Sequence, residues 1–284
     1  MKNKFLLFSG IIISLAVFTA VFTVFYVNRD SIYYFLIGDT VGVSNTEYSA
    51  NIDNSNNSGE NLTGNNISES VNSANPDNWG EYIKNIVFIG DSITHGFDLY
   101  RDLIKFNGED ILKDAVITAT PGYGLKHALS DDIKSNSYNL IYDEKPMKPE
   151  DIIALRDEKY VFICLGLNDL GSIKTDEYIE QYKKLLDNIQ EKSPDKSIVI
   201  LSVTPLVYGM RGGNLNNTVI AKANELLIEL AAERDMLFID WAEAIRDENN
   251  SLYKNLSSDG YCHLNVEAYN RLIEYLLDLF IMSF

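Results

Sequence analysis

Five short apolar runs punctuate the chain from about Trp79 onward: Ile86 to Ile89, Ala115 to Thr118, Tyr160 to Leu165, Ser197 to Val203 and Leu237 to Ile239. Apolar runs of this length without polar alternation are the pattern of strands buried on both faces. Amphipathic stretches separate them. Asp176 to Lys192 and Thr218 to Arg234 space Tyr, Leu, Ile and Ala at helical intervals, and Leu264 to Phe280 reads as a last helix with Asn265 as its cap. Strands alternating with helices imply an α/β fold, a three-layer sandwich around a central parallel sheet of about five strands.

The rest of the chain is of a different kind. Phe5 to Val27 holds 23 uncharged residues behind Lys2 and Lys4, enough to cross a bilayer and longer than the apolar core of a signal peptide. The expected organisation is a cytoplasmic stub and transmembrane anchor over 1–30, a flexible linker over 31–78 and a folded domain over 79–284. The positive-inside rule places that domain on the extracytoplasmic side of the cell membrane. Asn45 to Asn78 contains eleven asparagines and no Lys or Arg, too polar to bury a core.

Composition narrows the chemistry. With 41 acidic against 24 basic residues the formal charge is -17, which argues against a nucleic-acid partner because phosphate binding needs a cationic surface. Cys164 and Cys262 are too few for a disulfide framework, although one bond between them is conceivable. The three histidines, His95, His127 and His263, lack metal-ligand spacing, so neither a metal nor another cofactor is expected.

In a parallel sheet the segments that follow the strands converge on one edge, however distant in sequence. Gly90 to Gly96, GDSITHG, follows the first run and puts Ser92 where a strand ends. A serine there can offer its hydroxyl as nucleophile and its own N–H to an oxyanion. TPGYG follows the second run, and Gly122 or Gly124 can leave an N–H uncovered for the same anion; Gly122 lies nearer the strand end. GLND follows the third, where the Asn168 amide is a donor. SSDGYCHLN precedes the last helix, where His263 can take the Ser92 proton and Asp259 can hold the imidazole tautomer. Asp91 and Asp169 read as braces for turns, and His95 is too close to Ser92 along the chain to align with it. Each segment alone also reads as an ordinary turn; their agreement is the signal.

In GDSITHG, TPGYG, GLND and DGYCHLN, over about Lys84 to Leu279, the sequence resembles the SGNH hydrolases, also called GDSL-type lipases and acylhydrolases. The resemblance implies a flavodoxin-like arrangement of the sheet. It also implies Ser92 as nucleophile, His263 as general base, and an oxyanion hole of the Ser92 N–H, a glycine of TPGYG and the Asn168 amide. The family usually spaces its acid and base as DxxH, whereas three residues separate Asp259 from His263 here. Two arrangements therefore stand open: a triad with Asp259, or a Ser–His dyad oriented by a backbone carbonyl.

The expected function is that of a membrane-anchored serine esterase removing acyl groups, acetyl first among them, from a cell-surface carbohydrate. An O-acyltransferase of envelope polysaccharide would use the same acyl-enzyme, and a surface module that has lost turnover is the non-enzymatic alternative. The sequence leaves the oligomeric state undetermined.

Overall fold

The computed structural model describes residues 79–133 and 137–281. The proposed anchor and linker lie outside the described residues. Among the described residues no helix is long and apolar enough to cross a membrane.

In chain order the main elements are α1 (Trp79–Ile83), β1 (Ile86–Gly90), α2 (Ser92–Leu99), β2 (Val116–Ala119), α3 (Leu125–Ala128), β3 (Leu140–Tyr142), β4 (Lys145–Met147) and α4 (Pro149–Ala154). They continue with β5 (Tyr160–Cys164), α5 (Thr175–Lys192), β6 (Ser197–Leu201), α6 (Asn217–Glu233), β7 (Leu237–Ile239) and α7 (Val266–Ile281). Five strands form one parallel sheet in the order β2-β1-β5-β6-β7. Renumbered within the sheet this is 2-1-3-4-5, the flavodoxin-like order. The five apolar runs are these five strands, shifted by at most two residues at their ends. Every residue of β1 and β5 is buried, which is why the runs carry no alternation.

With this strand order, the right-handed crossover rule implies α2 on one face of the sheet and α4, α5 and α6 on the other, and α4 packs on α5 and α5 on α6. Helices α5 and α6 begin one residue earlier than their periodicity suggests. Asn265 caps α7, its Oδ1 accepting the Ala268 N–H at 3.1 Å. A small antiparallel pair, β3 with β4, is an addition that the sequence reading lacks.

The face that carries α2 is held by aromatic packing. Phe97 of α2 sits 5.7 Å from Phe88 of β1, 5.6 Å from Trp241 and 5.0 Å from Tyr269 of α7, ring centroid to centroid. Full burial of one such ring stabilises by about 1.5–3 kcal/mol. Gly96 makes room for the same contact: a Cβ there would fall 1.8 Å from the Tyr269 hydroxyl, which donates to Ile93 O at 2.8 Å. The second glycine of GDSITHG thus lets α7 close on the helix that begins at Ser92. Cys164 and Cys262 are both free thiols, so the conceivable disulfide is not formed.

Candidate active site

Ser92 is the first residue of α2 rather than part of an open turn. Asp91 makes it so by capping the helix, its Oδ1 accepting the Ile93 N–H at 2.9 Å. As the first helical residue, Ser92 has no intrahelical acceptor for its N–H, and the helix dipole favours negative charge at that point.

Across the rim, the segment before α7 folds around one carboxylate. Asp259 Oδ1 accepts the backbone N–H groups of Tyr261 (2.8 Å), Cys262 (3.1 Å) and His263 (3.2 Å), and the Ser257 hydroxyl lies 3.0 Å away. Gly260 turns the chain with a φ of +72°, in the region that favours glycine. The extra residue is absorbed in this tight loop, and the second oxygen, Oδ2, is left to meet His263 Nδ1 at 2.6 Å. His263 Nε2 then lies 3.1 Å from Ser92 Oγ. The structure therefore joins Ser92, His263 and Asp259 in one hydrogen-bonded chain, and the spacing of the acid and base does not part them. Partial burial would raise the Asp259 pKa, but the His263 hydrogen bond, the Tyr261 N–H and the Ser257 hydroxyl outweigh it and bring it to about 2. An ionised Asp259 fixes the proton of His263 on Nδ1 and leaves Nε2 able to accept one from Ser92.

The two glycines of TPGYG differ in what their N–H groups do. Thr120 to Tyr123 forms a type II turn, with Pro121 second, Gly122 third at a φ of +82°, and the Tyr123 N–H donating to Thr120 O at 3.0 Å. The Gly124 N–H is taken by His127 Nδ1 at 3.2 Å, whereas among the described residues the Gly122 N–H has no acceptor. That favours Gly122 as the oxyanion donor. His127 is buried and stacked between Tyr123 (6.0 Å) and Tyr138 (5.3 Å); burial, then the charge of Lys126, lowers its pKa, which keeps Nδ1 available as an acceptor.

Asn168 is tethered at the site. Its Nδ2 donates to Tyr123 O at 2.9 Å and to Asp91 Oδ2 at 3.4 Å, the longer and weaker of the two bonds. Asp91 is 1% exposed, and burial first, with the neighbouring Asp169 adding to it, pushes its pKa up to about 7 despite the Ile93 bond and the nearby His263. Asp169 does brace a turn: its Oδ1 accepts the Leu125 N–H at 2.9 Å at the start of α3. Sequence reasoning missed the Ser257 hydroxyl, the reach of Asp91 to Asn168, and the stack that locks TPGYG. Only the Asp91 cap had a local signal, an aspartate just ahead of Ile93 and Phe97 at helical spacing.

Burial raises the Asp169 pKa to about 6, against the lowering pull of the Leu125 and Lys126 N–H groups. The native state then keeps a proton that the unfolded chain gives up near its ordinary value of 3.8. Stability from that proton is complete below about pH 4 and is lost as the pH rises toward 6. Urea melts between pH 4 and 7 should show wild type losing more stability than Asp169→Asn; parallel curves would count against this assignment.

Residues 88–271 match the GDSL-like Lipase/Acylhydrolase family. The chain belongs to this family. Its described domain is accordingly that of a carboxylic ester hydrolase. A multidomain esterase of Ruminococcus flavefaciens is 27% identical over 135 residues, which are 46% of this chain and 17% of that protein, so the chain spans about a sixth of that relative. A Streptococcus pneumoniae structure, described provisionally as a platelet activating factor, shares the fold with a TM-score of 0.53 and 21% identity over 72% of this chain and 90% of that one. A lipolytic protein of the G-D-S-L family from Desulfitobacterium hafniense, also provisionally described, aligns with a TM-score of 0.49 and 17% identity over 68% of this chain and 98% of that one.

Proposed function

We propose that this GDSL-family domain is a serine esterase that removes acetyl groups from a cell-surface carbohydrate through an acetyl-enzyme. The hydrogen-bonded run from Asp259 through His263 to Ser92 carries the reading. Ser92 Oγ attacks the ester carbonyl while His263 Nε2 takes its proton. The oxyanion is met by the N–H groups of Ser92 and Gly122 and by the Asn168 amide. The intermediate collapses as His263 returns the proton to the departing sugar oxygen. A water molecule, deprotonated by His263, then attacks the acyl-enzyme, and acetate leaves with Ser92 restored.

The openness of the site favours both water and acetyl groups. The side chains of His263 and Asp259 are 48% and 36% exposed, so water reaches the acyl-enzyme directly, which favours hydrolysis over transfer. A long acyl chain gains about 0.8 kcal/mol per methylene only where it is buried, and a site this open rewards a short one. The Phe5–Val27 segment would hold the enzyme in the membrane with residues 31–78 as its tether, the domain facing the extracytoplasmic side.

A serine-directed phosphonate should label Ser92, and the enzyme should release acetate from 4-nitrophenyl acetate and from an acetylated oligosaccharide. Labelling elsewhere, or no labelling, would refute the nucleophile. Acetyl groups found on an added glycan in place of free acetate would make the protein a transferase.

A further inference from the structure

The turn after β6 holds an aromatic ring out beside the His263 loop. Val207, Tyr208, Gly209 and Met210 form a type II turn, with the Met210 N–H donating to Val207 O at 3.0 Å and Gly209 at a φ of +77°. The Val207 N–H donates in turn to Tyr261 O at 2.8 Å, two residues before His263. A little further on, Gly212 lies so close to the Tyr261 ring that a Cβ would fall 2.6 Å from its hydroxyl. The segment is thus pinned to the catalytic loop at two points. Even so, Tyr208 is 73% exposed and Met210 44%. The backbone of the turn is held while both large side chains stand in water, where a ligand bound next to the His263 loop can cover them.

We propose that Tyr208, with Met210 two residues further along the same turn, is the subsite for the sugar ring that bears the ester. The assignment rests on the esterase reading above and adds where the sugar sits. The departing alcohol takes its proton from His263 Nε2, so it must lie on the His263 flank of Ser92. The 207–210 turn is tied to that flank, whereas the Gly122 turn follows β2, on the other side of β1 in the sheet. The C–H face of a pyranose is apolar and carries slight positive charge, which suits the negative face of a tyrosine ring. Met210 offers an adaptable thioether to a ring of any substitution pattern. Neither side chain has a charge that would select for one glycan.

The test compares glucose pentaacetate with ethyl acetate, whose alcohol is too short to reach the turn, using the full chain in each case. Tyr208→Ala should lower the ratio of kcat/KM on the sugar ester to that on ethyl acetate about tenfold, about 1.4 kcal/mol, with the loss in KM rather than kcat. Tyr208→Trp should bring the ratio back to within about threefold of wild type, which a merely structural role would not do. A ratio unmoved by Tyr208→Ala, on an enzyme that turns over both esters, overturns the subsite alone. Wild-type enzyme that hydrolyses ethyl acetate but no sugar ester overturns the carbohydrate reading and the subsite with it.

Discussion

Ser92→Ala should slow ester hydrolysis about 10⁴-fold while leaving the melting temperature within a degree or two of wild type. The two effects separate because the Ser92 hydroxyl meets His263 Nε2 at the rim and takes no part in the core. Removing it costs no buried contact, and surface changes of this kind move stability by about 0.5 kcal/mol or less. The oxyanion donors remain, so a residual rate above background is expected, with KM little changed. Steady-state kinetics on 4-nitrophenyl acetate, paired with a thermal melt, check both halves. A loss of less than tenfold would remove Ser92 from the reaction.

Asp259→Asn should cost about 10²- to 10⁴-fold in kcat, again without unfolding the loop. Asparagine can keep its oxygen at the Oδ1 position, where the N–H groups of Tyr261, Cys262 and His263 gather. What it loses is the charged acceptor for His263 Nδ1–H. An amide N–H in its place would drive the imidazole proton to Nε2, where it faces Ser92 and cannot abstract. This variant separates the triad from the dyad that the sequence left open. A fall of less than threefold would mean that some group other than Asp259 orients His263.

The fold was legible because strands buried on both faces leave an apolar run that needs no partner to be seen. β1 and β5 are such runs, each copied into the structure almost residue for residue. The β3–β4 pair was not, because its two-residue turn places Asp143 and Glu144 at φ values of 49° and 62° without the glycine that ordinarily marks such a turn. Helix α2 escaped because Gly96 interrupts its apolar spacing, and only the position of Tyr269, far along the chain, explains the glycine. At the site, residue types and order picked out Ser92, His263 and Asp259, which the structure brings within hydrogen-bond reach of one another, and Asn168, which reaches Tyr123 O. The preference for Gly122 over Gly124 rested there only on nearness to the strand end; that His127 takes the Gly124 N–H is a contact of three-dimensional packing that no local pattern announces. The irregular spacing of Asp259 and His263 suggested a loosened pair; a carboxylate that binds the loop with one oxygen and the imidazole with the other removes the difficulty.

The 207–210 turn has a consequence for how this enzyme can change. Its hydrogen bond begins at Val207 and ends at Met210, and its positive dihedral belongs to Gly209, so position 208 bears none of the backbone's requirements. Many side chains can be mounted there without disturbing the turn, and each would change which alcohol portion of an ester the site prefers. Selection for a new substrate, in nature or at the bench, can proceed at that single codon as a change of fitting on an unchanged machine.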